Sequence, residues 1–145
     1  MRFERADNTF VDIIILWLSN KDDLLAEGFL ENASKDDIRN VFFNHFYNNI
    51  VLKIIHNNED IGFVIIERFQ KGCGFHMFIA QEFRKPFLAF SVLKNIIYYC
   101  KREFNAQYIF TLAKGKNKEY LERLQFNPSI DYKGFTLFEG ANLCL

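Results

Sequence analysis

Apolar residues first recur at helical spacing at Phe10, Ile13, Ile14, Trp17 and Leu18, with Asp7 or Asn8 placed to cap the helix that this stripe predicts. Ahead of it, residues 2–5 predict a short strand, while residues 20–32 are polar and mixed. Ser34 with Asp37 three residues on makes a capping box before Ile38, Val41, Phe42, His45 and Phe46, so a second helix is expected to end near Asn48-Asn49. The pattern then changes to β-branched and aromatic runs at 50–56 and 61–69, separated by Asn57-Asn58-Glu59-Asp60, which predicts a hairpin. Residues 70–74 supply another turn, and 75–80 return as a third antiparallel strand.

Pro86 suits the first turn of a helix, where its missing N–H costs nothing. Ala89, Val92, Leu93, Ile96, Ile97 and Cys100 then form a continuous apolar stripe. Residues 106–112 predict a strand, and the long helix before it makes that strand parallel to 75–80 through a right-handed crossover. A short helix is expected at 117–124, a closing hairpin at 129–132 and 135–139 around Lys133-Gly134, and a frayed tail at 142–145. The expectation is a single domain, 1–145, of the α/β (α+β) class: a mixed, mainly antiparallel sheet flanked by helices. There is no internal repeat, linker or low-complexity segment.

Composition narrows the partners. Eighteen basic and 18 acidic side chains cancel, which argues against a general electrostatic hold on nucleic acid or an anionic membrane. The longest apolar run, 13–18, is far short of the ~20 residues that cross a bilayer, and the N-terminus lacks a signal-peptide core, so a cytoplasmic protein is expected. Cys73, Cys100 and Cys144 fit reduced, inert thiols better than a disulfide framework. His45, His56 and His76 share no ligand spacing, and no metal site is expected. The 18 phenylalanines imply a core of large flat side chains, with some left on the surface.

The candidate chemistry lies where strand 75–80 feeds the helix at Pro86. A helix start directs free N–H groups and the positive end of its dipole at whatever lies beyond the strand, and Arg84 and Lys85 stand at that same end. Cations there are mildly unfavourable until an anion pairs with them, so the turn either binds a negative group or carries two solvated cations.

The turn Arg84-Lys85-Pro86-Phe87-Leu88-Ala89 and the later run Asn117-Lys118-Glu119-Tyr120-Leu121-Glu122-Arg123-Leu124-Gln125-Phe126 resemble, in order and separation, the acetyl-coenzyme-A-binding core of the GNAT N-acetyltransferases. That family's turn is usually Gln/Arg-x-x-Gly-x-Gly/Ala. Here Phe87 stands at the first Gly, Leu121 in the slot of the tyrosine that often protonates the departing thiolate, and Gln125 at a further Gly. The resemblance implies acetyl-CoA as cosubstrate, with Arg84, Lys85, Phe87, Leu88, Ala89 and Asn117 around it. Backbone groups of Phe78 and Ala80 are expected to meet the pantetheine arm, where the strand splays from its neighbour near Thr111. It implies acyl transfer to a primary amine of a small molecule or protein, with Glu67 or His76 as general base and Tyr120 as the thiolate's proton donor. By their positions, Glu67 also reads as a solvated strand-end charge and His76 as a core histidine.

Residues 75–85 also look like small GNAT-like proteins of tailed bacteriophages. With the departures at Phe87, Leu121 and Gln125, this supports an alternative: a catalytically silent module acting by protein binding or virion assembly, as a homo-oligomer or with a viral structural partner. Asp22, Asp23, Glu27 and Glu31 either attract a cationic amine acceptor or form a solvated surface. The residues do not identify the acceptor.

Overall fold

The computed structural model describes residues 1–141; the tail expected at 142–145 lies outside them. The strands are β1 (Arg2–Arg5), β2 (Ile50–His56), β3 (Glu59–Arg68), β4 (Gly72–Ile79), β5 (Tyr108–Ala113), β6 (Asn127–Tyr132) and β7 (Phe135–Ala141). They form one seven-stranded sheet in the order β1-β2-β3-β4-β5-β7-β6. β1–β2, β5–β7 and β6–β7 are antiparallel, and β4–β5 is parallel as expected. The helices are α1 (Val11–Trp17), α2 (Lys21–Ala26), α3 (Lys35–Asn48), α4 (Pro86–Phe104) and α5 (Lys116–Arg123), with 3-10 turns at Asn8–Phe10 and Gln81–Phe83. This is the expected mixed α/β class. No helix among the described residues is long and apolar enough to cross a membrane.

The chain divides into two compact units, Met1–Ile65 and Ile66–Leu145. In the first, Ser34 and Asp37 complete the capping box of α3 reciprocally, with bonds of 3.0 and 2.8 Å. Phe42 of α3 is buried, stacked on Phe29 and edge-on to Phe63, with ring centres 6.4 and 5.3 Å apart. The β2–β3 turn places Asn57 and Asn58 at φ 53° and 61°, the left-handed pair that a two-residue hairpin of the favoured twist needs.

Helix α2 is an element the apolar pattern did not show. Asn20 caps it, accepting from the Asp23 N–H at 2.8 Å while its amide donates to the Asp23 carboxylate at 2.6 Å. Asp23 is 5% exposed. The reading of the acidic stretch as uniformly solvated, or as a cation-attracting set, is therefore corrected at this residue: its carboxylate serves the helix start.

In the second unit, α4 keeps its predicted stripe, burying Val92, Leu93, Ile96, Ile97 and Cys100. It ends at Asn105 in a left-handed conformation, φ 50°. β4 begins earlier than expected, at Gly72, because the Phe69 N–H bonds the Gly72 carbonyl at 2.8 Å and tightens the turn. A Cβ at Gly72 would lie 2.7 Å from the Tyr108 carbonyl oxygen of β5, so only glycine lets these strands close up. Cys73, read as a turn residue, is thus a buried strand residue beside Cys100 of α4, at 1% and 0% exposure. The Cys100 thiol donates to the Cys73 sulfur; this holds the Cys73 thiol below its usual range and, together with burial, pushes Cys100 up.

Candidate functional site

Three pairs hold β4 and β5 together: Gly72 with Tyr108, Cys73 with Ile109 and Gly74 with Phe110. Both strands continue beyond them, β4 to Ile79 and β5 to Ala113, so their carboxyl-terminal parts run on without a shared ladder. At the apex of this opening the buried Thr111 hydroxyl donates to the Phe75 carbonyl at 2.9 Å. A side chain completes the bond at the step where the backbone pairing stops.

Backbone direction along β4 decides which groups line the opening. The Lys71 carbonyl accepts from the Gln107 and Tyr108 N–H groups at 2.8 and 3.3 Å, and Phe75 accepts from Thr111, so both carbonyls face β5. The Gly72 carbonyl faces the other way, accepting from Phe69. Because the N–H and C=O of one strand residue point to the same side and alternate along the chain, this alternation turns Met77 and Ile79 toward the opening and Phe78 away from it, while Ala80, past the strand, gives its carbonyl to the Phe83 N–H. The expected Phe78 and Ala80 lie next to these positions, at the carboxyl end of β4. Apolar and polar periodicity reports side-chain faces and carries no signal for this, since the hydrogen-bonding side depends on register.

Beyond β4, one 3-10 turn leads to α4. Lys85 occupies the N-cap in extended conformation, φ −112° and ψ 140°, and no side chain caps the helix. The Ala89 N–H makes a helical bond to the Lys85 carbonyl at 3.0 Å. The Phe87 and Leu88 N–H groups come before that bond, and Pro86 has none. Arg84 folds back along β4: its Nε donates to the Ile79 carbonyl at 2.7 Å and its guanidinium lies 5.3 Å from the Phe78 ring centre. One acceptor on the open edge of β4 is thus taken by the cation beside it. Phe87 is 85% exposed, its ring standing in solvent, while Leu88 and Ala89 are half-buried.

α5 starts at Gly115, whose φ of 63° a side chain would strain. Asn117 lies in its first turn, half-buried. Tyr120 is 8% exposed and meets Phe90 of α4 edge-on at 5.9 Å, and Arg123 covers the same ring at 4.6 Å. Leu121 is fully buried. Contact with Phe90 thus ties Tyr120 to the early turns of α4.

His76 is exposed within β4, one residue from Met77. Glu67 is exposed too, but the Phe69–Gly72 turn bond places it at the first end of β4. β4 has 8 residues, about 26 Å of strand, so Glu67 and the start of α4 stand at opposite ends of it. The structure gathers Arg84, Lys85, Phe87, Leu88 and Ala89 at the carboxyl end of β4, and leaves Glu67 apart from them. Among the described residues no group of three or more His, Cys, Asp or Glu side chains could hold a metal ion.

No family model matches this sequence, and no curated protein matches it. Solved structures do. The aminoglycoside acetyltransferase AAC(6')-Ib in complex with coenzyme A superposes with a TM-score of 0.79 at 11% identity, over 97% of this chain and 94% of that one. The N-acetyltransferase PseH of Campylobacter jejuni in complex with acetyl coenzyme A gives 0.70 at 10% identity, over 97% and 98%. A GNAT-family acetyltransferase of Bacillus anthracis gives 0.72 at 13%, over 97% and 93%. At these identities the likeness is one of fold: the chain has the architecture of the GNAT acetyltransferases across nearly its whole length.

Proposed function

We propose that this chain is an acyl-coenzyme-A-dependent N-acyltransferase that moves an acetyl group from acetyl-CoA to a primary amine. The carrying observation is the opening between β4 and β5 directly before an uncapped helix start. It offers a slot edged by strand backbone and, at its mouth, helix N–H groups with two cations. A pantetheine arm is a chain of amides that pairs with strand backbone, and a pyrophosphate suits the mouth. The Phe87 ring is exposed to solvent, which supports a helix start open to an anion. Known structures of this fold with CoA or acetyl-CoA bound support the same reading.

Acetyl-CoA supplies an activated thioester. In this chain Met77 and the Ile79 N–H provide the backbone groups that hold the arm, and an N–H there can bond the thioester oxygen as negative charge develops on it. Arg84, Lys85 and the Phe87 and Leu88 N–H groups hold the phosphates, with Ala89 and Asn117 beside them. His76, in the adjacent β4 position, is the better placed of the two candidate bases to take the amine's proton, through water. Tyr120 is the candidate donor to the leaving thiolate. The amine acceptor, a small molecule or a protein, and a cytoplasmic location complete the proposal.

Calorimetry with acetyl-CoA tests it. Micromolar binding that falls about tenfold or more in an Arg84→Ala, Lys85→Ala double variant is expected. Absence of heat with the wild type would end it.

One observation favours a second reading. Leu121, fully buried, fills the tyrosine slot with a side chain that cannot give a proton, and Tyr120 packs on Phe90 instead. A silent module of this fold, phage-borne and working through protein contacts or virion assembly, would share those features. A stable oligomer by light scattering together with no CoA binding is the outcome that supports it.

A further inference from the structure

We propose that Thr111 is a positioning residue that fixes the apex of the β4–β5 opening and thereby the depth to which an acyl-pantetheine arm can enter. The inference rests on the acyl-transfer reading for its ligand, and on geometry alone for the apex.

Thr111 is one of the few buried polar residues described, and its hydroxyl lies 2.9 Å from the Phe75 carbonyl, one step past the last ladder pair, Gly74 with Phe110. Continued in register, a parallel ladder would give that carbonyl the Leu112 N–H. The hydroxyl replaces that backbone donor and also lies 3.5 Å from the Leu112 carbonyl, a much poorer geometry. The other side of Thr111 is held by β7, where it pairs with Phe138. The bond therefore ties Phe75 to a strand that is itself anchored. It stops the gap from running back toward Gly74, and a buried carbonyl that loses this donor makes the strands part further.

Thr111→Val keeps the shape and removes the hydroxyl, and Thr111→Ser keeps the hydroxyl. The expected result is that Thr111→Val shifts the ratio of dissociation constants for acetyl-CoA and hexanoyl-CoA about fivefold or more toward the longer chain, while Thr111→Ser keeps the wild-type ratio. A general loss of stability weakens both ligands alike and leaves the ratio in place. An unchanged ratio, or a shift toward acetyl-CoA, overturns the proposal.

Amide hydrogen exchange provides a second measurement that needs no ligand. Thr111→Val should speed exchange at Phe110, in the last paired rung, about tenfold, with Ile109 unchanged and Thr111→Ser like the wild type. Equal effects at both amides, or none, overturn the apex role. If neither CoA ester binds the wild type while the exchange pattern appears, the acyltransferase reading has failed and the apex assignment stands.

Discussion

Gln125 sits just past the C-terminal end of α5 with φ 67°, and the Phe126 N–H reaches back to the Leu121 carbonyl at 2.9 Å. This is the helix-ending turn in which a left-handed residue frees the chain to reverse, and a side chain there carries a steric cost of about 1 kcal/mol. Gln125→Gly is therefore expected to stabilise the protein by roughly 0.5–1 kcal/mol, read as a higher denaturant midpoint at unchanged slope. Other single residues were less legible from sequence. The glutamine is visible as the replacement of a family glycine, but Asp23 looks like any surface carboxylate until Asn20 is seen to bond it from both sides. Likewise the side that a carbonyl of β4 faces cannot be read by hydropathy, because a carbonyl's direction leaves no mark on residue type.

At the level of elements, the close approach of β4 and β5 depends on Gly72. Gly72→Ala would set a methyl carbon against the Tyr108 carbonyl at a distance that must relax by strand separation. A loss of about 2 kcal/mol or more is expected, with exchange at Tyr108 and Phe110 accelerated more than at β6. The strands and long helices were readable since each repeats its apolar period for several turns or pairs. α2 was not, because its six residues offer too short a stripe and its cap works through a buried carboxylate. β6 was expected over 129–132; it is an edge strand that starts earlier, at Asn127, and accommodates Pro128.

For the whole molecule, the boundary between the two compact units falls inside β3. We therefore propose that the chain unfolds as a single domain. Trp17, the one tryptophan, reports on the first unit, and Cys73 and Cys100, shielded from reagents, report on the second. In urea, the change in Trp17 fluorescence and the onset of iodoacetamide labelling at these two cysteines should share one midpoint; distinct midpoints would show two domains. The order of strands and helices across the chain was legible from pattern and turn chemistry, whereas the meeting of Cys73 with Cys100 needed the strand to begin at Gly72. The start of α4 has a practical consequence at this scale. A coil that brings no acceptor of its own borrows one from the surrounding solution, so buffer choice becomes a thermodynamic variable, and melts recorded in phosphate or sulfate should run hotter than melts in chloride at matched ionic strength.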